Sequence, residues 1–520
     1  MNAYLKKTIL LLFILLLAFS GCGGNGGGGG DIPDYGGVIP PEPNYPKPPS
    51  GNNQTMMQAF YWEMDTGIYA SSHPEEANLW NLLANRADEL ANIGITALWL
   101  PPANKGANFN NTLSAGYDTY DLWDLGEFNQ KGFIRTKYGT KAELMAAINT
   151  LHEAGIKVYY DAVLNHRMGA DYPETVPLAL GGSKTAWTGF TFPGRNGAYY
   201  NSSWDWHYFN CADDNRLFQG KSWNDSFDVD YIMGSNVDYS YPQVVAEINA
   251  WGRWIINDIN FDGFRLDAVK HISSSFTGNW INYMQNQSPG KNVFFVGEAW
   301  YDDKGSLKSY LTAVNNNELE VFDFPLRAAF AQLSNSGGSF NMAALSSSGL
   351  ANDPDNEDRA VTFVDNHDLN RDGLNPGIVH YKYQDYAYIL LREHGIPCVF
   401  WKDFYVYGMK EGITRLIKAR KFFAYGPGYE VPNNDNDVYS YVRAGDGIAG
   451  HGLVMMIADG PPGGSREITK NINSQQPNTT FYDYTGHFTE TVTTNGSGYG
   501  DFKVKLNETN GWSIWVPVIP

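Results

Sequence analysis

The sequence predicts a (β/α)8 barrel of the TIM-barrel class, with a subdomain inserted after the third strand and a C-terminal antiparallel β-sandwich domain. From residue 56 onward, eight short apolar runs alternate with helix-like stretches, as expected of parallel strands joined by helical crossovers. Residues 167–243 interrupt this alternation with a stretch rich in Gly, Asn, Trp and Asp, which is too long for a plain loop. Beyond residue 424 the helical pattern stops, and strand-like runs alternate with turns.

Each predicted barrel strand is a largely continuous apolar run, which is typical of strands whose two faces are both covered. These strands are predicted over residues 56–61, 95–100, 157–163, 262–267, 293–297, 320–324, 360–364 and 396–401. A helix is indicated where Leu79 and Leu83 fall on one face. A second begins with the capping box from Thr140 to Glu143 and stops at Gly155. The C-terminal strands are predicted over residues 438–443, 453–458, 481–484, 502–506 and 513–518.

These patterns divide the chain into a leader, a linker and three folded parts. The predicted boundaries are residues 1–22 for the leader, 23–51 for the linker, 52–166 and 244–425 for the barrel, 167–243 for the inserted subdomain and 426–520 for the C-terminal domain. Without the inserted subdomain, the barrel has about the usual size for eight strand–helix units.

The leader predicts export. A basic start at Lys6 and Lys7 precedes an apolar run over residues 9–19, which is the pattern of a signal peptide and too short to span a membrane comfortably. The following Ser-Gly-Cys22 resembles a bacterial lipoprotein signal, although Phe19 stands where Leu is usual. That resemblance implies that Cys22 becomes the lipidated first residue; ordinary secretion with cleavage nearby is the alternative.

The linker suits a domain held off a membrane surface. Residues 23–30 are almost all Gly, and residues 33–49 are rich in Pro, so a flexible segment precedes a stiffer one. The sequence therefore predicts an exported protein, attached to a membrane through its lipid anchor only, at the bacterial cell surface or in the periplasm.

Composition excludes some classes of partner and favours another. The chain has 37 Lys and Arg against 56 Asp and Glu, a net charge of −19, which repels nucleic acid. Aromatic residues make up 15% of the chain, and their flat rings suit the apolar faces of sugars. The three cysteines, Cys22, Cys211 and Cys398, exclude a disulfide scaffold and make thiolate metal clusters implausible.

Acidic side chains are predicted at the ends of several barrel strands, where catalytic residues of such barrels collect. Arg265 and Asp267 lie two residues apart, so the guanidinium can keep the carboxylate ionised for nucleophilic attack; a structural salt bridge is the alternative. Glu298 has apolar neighbours that can keep it protonated as an acid. With Asp368, three acidic groups surround one barrel mouth, an arrangement found mainly where chemistry requires it. One ionised and one protonated carboxyl group can cleave a glycosidic bond by double displacement.

Four segments carry these residues, and together they resemble the signature regions of the α-amylase family, glycoside hydrolase family 13. The segments read DAVLNH at 161–166, GFRLDAVKH at 263–271, VGEAW at 296–300 and FVDNHD at 363–368. The resemblance covers roughly residues 54–520, including MQAFYW at 57–62 and GYD at 116–118. Residues 262–272 and 418–426 look most similar to the liquefying bacterial α-amylases.

The resemblance implies a role for each matching residue. Asp267 would be the nucleophile, Glu298 the general acid/base and Asp368 the transition-state stabiliser. The subsite of the attacked glucose would be lined by Tyr117, His166, Arg265 and His367, and the leaving-group sugars would contact Lys270 and His271.

The implied activity is that of a retaining, endo-acting α-amylase. It would cut internal α-1,4 bonds of starch, glycogen and maltooligosaccharides as a monomer. A maltooligosaccharide-forming amylase or a glucanotransferase of the same family is the alternative. A non-catalytic starch-binding lipoprotein would need a damaged acid set, and the set is complete.

A calcium ion is also implied. The inserted subdomain is dense in Asp and Asn, which supply the hard oxygen ligands that Ca²⁺ prefers; a polar, solvated loop is the alternative. By resemblance, Asn165, Asp230, Asn236 and the His271 carbonyl would bind calcium, although the family usually has Asp at the position of Asn236. The second metal cluster of liquefying amylases would fall on Asn210, Asn224, Asp238 and Ser240. With one carboxylate among those four positions, we expect a single calcium ion.

Aromatic residues also gather in the inserted subdomain. They either stack on glucose rings along the cleft or form the small core of the subdomain. The residues are Trp187, Tyr199, Tyr200, Trp204, Trp206 and Trp223.

Overall fold

The computed structural model describes residues 45–46, 53–108, 114–200, 202–223, 231–432 and 436–519. The predicted leader with Cys22 lies outside these residues, as do Asp230 and Asn224 of the predicted metal sites. Within the described part, no helix is long and apolar enough to cross a membrane.

A closed barrel of eight parallel strands, counted over the described residues, confirms the predicted fold class. The strands follow one another around the barrel in chain order, because each pairs with the one before it and the last pairs with the first. They are β1 Met56–Gln58, β2 Ala97–Trp99, β3 Lys157–Ala162, β4 Gly263–Leu266, β5 Phe294–Gly297, β6 Leu319–Phe322, β7 Ala360–Phe363 and β8 Ile396–Phe400.

Most of these strands end one to three residues before the predicted boundary. The first, for example, was expected over residues 56–61, and its pairing stops at Gln58. The apolar signal continues past that point because Ala59, Phe60 and Tyr61 are buried without being paired in the barrel. Burial extends further than strand pairing, and the polar site residues follow where pairing ends.

One main helix follows each strand in the described chain and covers the barrel. The helices are α1 Leu79–Ile93, α2 Lys141–Glu153, α3 Pro242–Asn257, α4 Ser274–Gln287, α5 Lys304–Val314, α6 Phe324–Ser334, α7 Lys382–Leu391 and α8 Lys410–Phe422. The predicted capping box is present, since Thr140 and Glu143 exchange hydrogen bonds at the start of α2. That helix ends at Glu153, one residue before its cap Ala154 and two before the predicted stop at Gly155.

The inserted subdomain lies between β3 and α3. It contains a hairpin of Tyr172–Pro177 and Ser183–Gly189, and a three-stranded sheet of His166–Arg167, Ser235–Val237 and Phe209–Ala212. Trp204 is 1% exposed and belongs to the core of this subdomain, whereas Trp187 on the hairpin is 51% exposed. The predicted aromatic group therefore divides between core and surface.

The C-terminal domain is antiparallel, as predicted. A six-stranded sheet has the order Gly428–Glu430, Val438–Arg443, Leu453–Ala458, Trp512–Pro517, Thr480–Asp483 and Thr491–Thr493, and a separate hairpin pairs Glu467–Asn473 with Tyr499–Lys505. The prediction missed the strands 428–430, 467–473 and 491–493. Their residues are mostly exposed and polar, so they lack the apolar run by which a strand is recognised.

Candidate active site

Arg265 is the centre of the group of acids at the barrel mouth. Its Nη1 donates hydrogen bonds to Asp267 Oδ1 at 2.6 Å and to Asp161 Oδ1 at 2.7 Å, and its Nη2 lies 2.9 Å from Glu298 Oε1. The arginine is 0% exposed. Burial acts to lower the pKa of Arg265, but the carboxylates of Asp161 and Glu298 outweigh burial and hold that pKa well above its usual value. One permanent cation is thus shared by three carboxyl groups.

The strands explain why these residues meet. Arg265 on β4 is in register with Asp161 on β3, and both point to the same side of the barrel wall. Asp267 follows β4, and Glu298 follows β5, which is the next strand. Between them, Ala268 has a left-handed backbone with φ of 47°, a conformation uncommon for non-glycine residues. This turn lets the Ala268 N–H donate to Glu298 Oε2 at 3.1 Å.

Burial raises the pKa of all three predicted catalytic acids. The pKa of Asp267 is raised well above its usual value by burial, opposed by Arg265. The pKa of Glu298 is raised by burial, opposed by Arg265 and reinforced by Asp368. The pKa of Asp368 is raised by burial, opposed by Arg265 and Arg371. The site therefore retains at least one proton at a pH where exposed carboxyl groups are ionised.

Arg265 is aligned for a hydrogen bond with Asp267 and not with Glu298. Asp267 accepts an aligned hydrogen bond from Arg265 at 2.6 Å, which favours its ionised form. The 2.9 Å contact between Arg265 Nη2 and Glu298 Oε1 lacks hydrogen-bond alignment. The aligned hydrogen bond from Arg265 therefore favours the ionised form of Asp267.

Two predicted aromatic residues form a stacked wall beside Asp368. The rings of Tyr117 and His367 are parallel, with centroids 4.9 Å apart. His367 Nδ1 lies 3.0 Å from Gln58 Nε2 and its Nε2 lies 3.3 Å from Asp368 Oδ2. Burial, with help from the charge of Arg265, lowers the pKa of His367 well below its usual range. The ring is neutral, accepts from Gln58 at Nδ1 and donates from Nε2 toward Asp368.

His166 is a buried neutral residue fixed by the backbone of Tyr117. Its Nε2 donates to the backbone carbonyl of Tyr117 at 2.8 Å, and burial lowers the pKa of His166 to about 4. The ring is therefore neutral, and its Nδ1 has no hydrogen-bond partner among the described residues.

Two further predicted residues follow the nucleophile directly. Lys270 and His271 lie in the short turn Val269–His271 after β4. The Lys270 ammonium lies 5.3 Å from the centre of the Tyr301 ring, within cation–π range. Lys270 also lies near Glu298, where its positive charge opposes the rise in the pKa of that carboxyl group.

Comparison with known proteins decides the family. The family described as alpha amylase, catalytic domain, matches residues 69–403, and the family described as alpha-amylase C-terminal matches residues 453–516. The chain belongs to the α-amylase family. It is accordingly a glycoside hydrolase of the α-amylase type.

Several α-amylases and related enzymes resemble the whole chain. The α-amylase of Geobacillus stearothermophilus is 39% identical over 506 residues, which cover 89% of this chain and 87% of that protein. The α-amylase of Bacillus licheniformis is 39% identical over 503 residues, covering 90% and 93%. The glucan 1,4-alpha-maltohexaosidase of Bacillus sp. (strain 707) is 38% identical over 504 residues, covering 90% and 93%. A crystal structure of the Geobacillus thermoleovorans α-amylase with acarbose has a TM-score of 0.61 at 17% identity, covering 90% of this chain and 98% of that one, which shows the shared fold.

The predicted calcium ligands of this amylase are brought together in part. Asn236 pairs with His166, the neighbour of Asn165, and the Val237 N–H donates to the Asn165 carbonyl at 3.0 Å. Both amide atoms of Asn236 are buried and have no hydrogen-bond partner in the described chain. Unpaired buried oxygens of this kind suit a hard cation. No group of three or more His, Cys, Asp or Glu side chains that could hold a metal occurs in the described residues.

Lys221 is hydrogen-bonded to Asp238, the one carboxylate of the predicted second metal cluster. Lys221 Nζ donates to Asp238 Oδ2 at 2.6 Å, and Ser240 donates to Asp238 Oδ1 at 2.6 Å through its hydroxyl. Asp238 is 2% exposed, so the ammonium neutralises a buried charge. Sequence reasoning missed this contact, and the number of calcium ions stays a prediction.

Asp161 is a second residue whose role the sequence did not reveal. It accepts hydrogen bonds from Tyr117 Oη at 2.7 Å and Trp99 Nε1 at 2.9 Å, in addition to Arg265. It therefore fixes both the subsite tyrosine and the central arginine. Arg371 is a third, with its guanidinium 3.5 Å from the centre of the Trp62 ring and 3.8 Å from Asp368. Both residues act through contacts between separate strands or loops. A single sequence does not show which of its residues are in contact.

Proposed function

We propose that this α-amylase cleaves internal α-1,4 bonds of starch, glycogen and maltooligosaccharides with retention, using Asp267 as nucleophile and Glu298 as acid/base. The observation that carries the proposal is the shared guanidinium of Arg265, aligned on Asp267 and misaligned on Glu298. This asymmetry supports an ionised Asp267 beside a protonated Glu298, the pair that double displacement requires.

In the first step, Asp267 Oδ attacks the anomeric carbon, and the bond from that carbon to the glycosidic oxygen breaks. Glu298 transfers its proton to the departing oxygen, so the leaving sugar is released with a hydroxyl group. In the second step, ionised Glu298 takes a proton from water, whose oxygen attacks the anomeric carbon and displaces Asp267. Two inversions leave the product in the α configuration.

The surrounding residues hold the sugar that reacts. Asp368 accepts from its hydroxyl groups. The Tyr117 ring, held against the buried His367 ring, would contact the apolar side of the sugar. Lys270 and His271 contact the sugars on the leaving-group side. Precise positioning of this kind supplies a large part of enzymatic rate enhancement.

Calcium is proposed as a structural ion. Asn165, Asn236, Asp230 and the His271 carbonyl would hold it, and the unpaired amide oxygen of Asn236 supports this assignment. The bound ion would join the inserted subdomain to the turn that follows the nucleophile, and it takes no part in bond cleavage.

Export with a lipid anchor at Cys22 is proposed from the leader pattern. The anchored enzyme would be a monomer, facing its glucan substrates outside the cytoplasm. Radiolabelled palmitate tests the anchor: we expect label in the wild type and none in Cys22→Ser, while label retained in that variant would contradict lipidation at Cys22.

The activity is tested by following soluble-starch viscosity and reducing ends together, for wild type and Asp267→Asn. An endo-acting hydrolase lowers viscosity quickly while producing few new ends, and the variant should do neither. Chains longer than the substrate, formed in the presence of a saccharide acceptor, would indicate glucanotransferase activity instead. Wild-type activity in Asp267→Asn would contradict the assigned nucleophile.

A further inference from the structure

The segment that carries Asp368 is held at both of its ends by buried lysines. This segment, residues 365–372, follows β7 and has Asp368 near its middle. At one end, the carboxylate of Asp365 lies 3.2 Å from Lys382 Nζ. At the other end, Asp372 Oδ1 accepts a hydrogen bond from Lys402 Nζ at 2.8 Å. Asp368 therefore lies between two fixed points.

Lys402 joins three loops at the barrel mouth. Its side chain is 0% exposed, and its Nζ donates to Asp372, which follows β7, and to Glu63 Oε2 at 2.9 Å, which follows β1. Asp372 makes two further contacts: its N–H donates to Glu63 Oε1 at 2.8 Å, and its Oδ2 accepts from Tyr69 Oη at 2.6 Å. Because Lys402 itself follows β8, one buried ammonium connects the loops after β7, β8 and β1.

This ammonium stays charged in spite of its burial. Burial acts to lower the pKa of Lys402, but the carboxylate of Glu63 and the hydrogen bonds to Asp372 and Glu63 raise that pKa above its usual value. A buried charge paired in this way is costly to disturb, since removing one partner leaves the other partner buried and uncompensated. The contacts of Lys402 therefore fix the Asp372 end of the segment firmly.

The Asp365 end is fixed from three directions. Asp365 is 2% exposed, and it accepts hydrogen bonds from Arg327 Nη2 at 3.1 Å and from the Ile378 N–H at 2.9 Å. Lys382, the first residue of α7, lies between Asp365 and Asp403 and pairs with both. This end of the segment is consequently part of the barrel wall.

The two attachments meet in a π-helical turn that follows β8. The turn covers Lys402–Val406. Its first residue, Lys402, pairs with Asp372, and its second residue, Asp403, belongs to the network around Asp365. Turns of this kind are rare and are found frequently at functional sites. A single turn therefore connects both ends of the segment that carries Asp368.

Arg371 links the Asp372 end to the catalytic acid. Its guanidinium lies 3.5 Å from the centre of the Trp62 ring, and its Nη1 lies 3.8 Å from Asp368 Oδ1. Because Arg371 and Asp372 are adjacent in the chain, a shift of Asp372 moves this guanidinium relative to Asp368. The position and the charge environment of Asp368 both depend on the contact between Asp372 and Lys402.

We propose that Lys402 is a positioning residue for the reaction and acts through Asp368, by holding the Asp372 end of the segment. The inference rests on the proposed glucan-cleaving function and adds a residue on which the same site depends. Asp368 accepts from hydroxyl groups of the reacting sugar, so its carboxylate must be placed accurately. A misplacement of about 1 Å can cost about 10²-fold in rate.

Lys402→Met in the full chain tests the proposal. We expect kcat on maltoheptaose to fall about 10²-fold, with KM within about threefold of wild type. Lys402→Arg keeps the charge and should lose less than about tenfold in kcat. Arg392→Met is the matched control, because Arg392 is also buried and pairs with Glu430 but follows α7 at the opposite end of the barrel. This control should lower Tm and leave kcat unchanged.

A double-mutant cycle separates positioning from a general loss of stability. If Lys402 acts through Asp368, adding Lys402→Met to Asp368→Asn should cost less than about threefold further. Maltotriosyl fluoride is the substrate for this cycle, because its good leaving group keeps slow variants measurable. An equal loss in both backgrounds, or an unchanged kcat in Lys402→Met, would overturn the proposal.

Asp372→Asn takes the place of Lys402→Met in the same cycle if the latter does not fold. It weakens the attachment of the segment and leaves Lys402 paired with Glu63, so no buried ammonium is left alone. We expect the same pattern with a smaller loss of kcat, and an equal loss with and without Asp368→Asn would again overturn the proposal. Wild-type activity in Asp368→Asn would instead contradict the proposed function.

Discussion

Arg265 donates to Asp267 at 2.6 Å from a position with no solvent exposure. The same guanidinium reaches Asp161 and Glu298, so the charge state of the whole mouth depends on one side chain. A planar guanidinium can serve several carboxyl groups at once, and an ammonium group cannot reproduce that geometry.

Arg265→Lys tests this dependence. We expect kcat/KM on soluble starch to fall about 10³-fold, or ~4 kcal/mol of transition-state stabilisation. Arg253→Lys on α3 is the control, because Arg253 is exposed and should tolerate the change. A loss smaller than tenfold in Arg265→Lys would show that the three contacts do not organise the site.

Glu298→Gln separates acid catalysis from substrate binding. The variant cannot protonate a sugar leaving group, so kcat on starch should fall roughly 10²–10⁴-fold. A maltooligosaccharyl fluoride needs no such proton, and its rate of glycosyl transfer to the enzyme should fall much less. Equal losses on both substrates would exclude Glu298 as the acid. Glu320→Gln is a matched control, because Glu320 on β6 is also a partly buried carboxyl and lies outside the acid cluster.

Glu320 also predicts a pH dependence of stability. Burial raises its pKa from 4.5 to about 8. The folded state then holds the proton more tightly than the unfolded state, so the free energy of unfolding decreases as pH rises from 4.5 to about 8. We expect denaturant unfolding to show that the free energy of unfolding of Glu320→Gln, relative to that of wild type, increases by about 2–4 kcal/mol from pH 5 to pH 9. An unchanged difference would mean that Glu320 is not protonated in the folded enzyme.

Asn236→Asp tests the proposed calcium site without using activity. An added carboxylate strengthens attraction for Ca²⁺, and we expect calorimetric titration to show about tenfold tighter binding. The rise in Tm on adding calcium to chelated protein should grow accordingly. Asn317→Asp on an exposed loop should change neither quantity. Equal calcium affinity in Asn236→Asp and wild type would remove Asn236 from the site.

The barrel could be read from the sequence because its signals are local. Buried parallel strands form apolar runs, and the capping box at Thr140 marks a helix start within four residues. The strand Glu467–Asn473 carries no comparable signal, since Ile472 alone of its seven residues is buried. The acids Asp267, Glu298 and Asp368 were predicted because each follows a strand end, where the barrel brings side chains together.

The contacts that the sequence concealed all depend on pairing between distant segments. Asp161 contacts Arg265 through strand register, 104 positions apart, and a single sequence does not state which residues face each other. Lys221 meets Asp238 through the folding of the inserted subdomain. The aromatic residues of that subdomain had two equally good interpretations, and burial separates Trp204 in the core from Trp187 on the surface.

The stereochemistry of the first product tests the central claim most directly. Proton NMR during rapid hydrolysis of maltoheptaose distinguishes the α from the β anomer at the newly formed reducing end before mutarotation. Double displacement by Asp267 and Glu298 predicts that the α anomer appears first. Initial release of the β anomer would show a single displacement and would contradict the role of Asp267 as nucleophile.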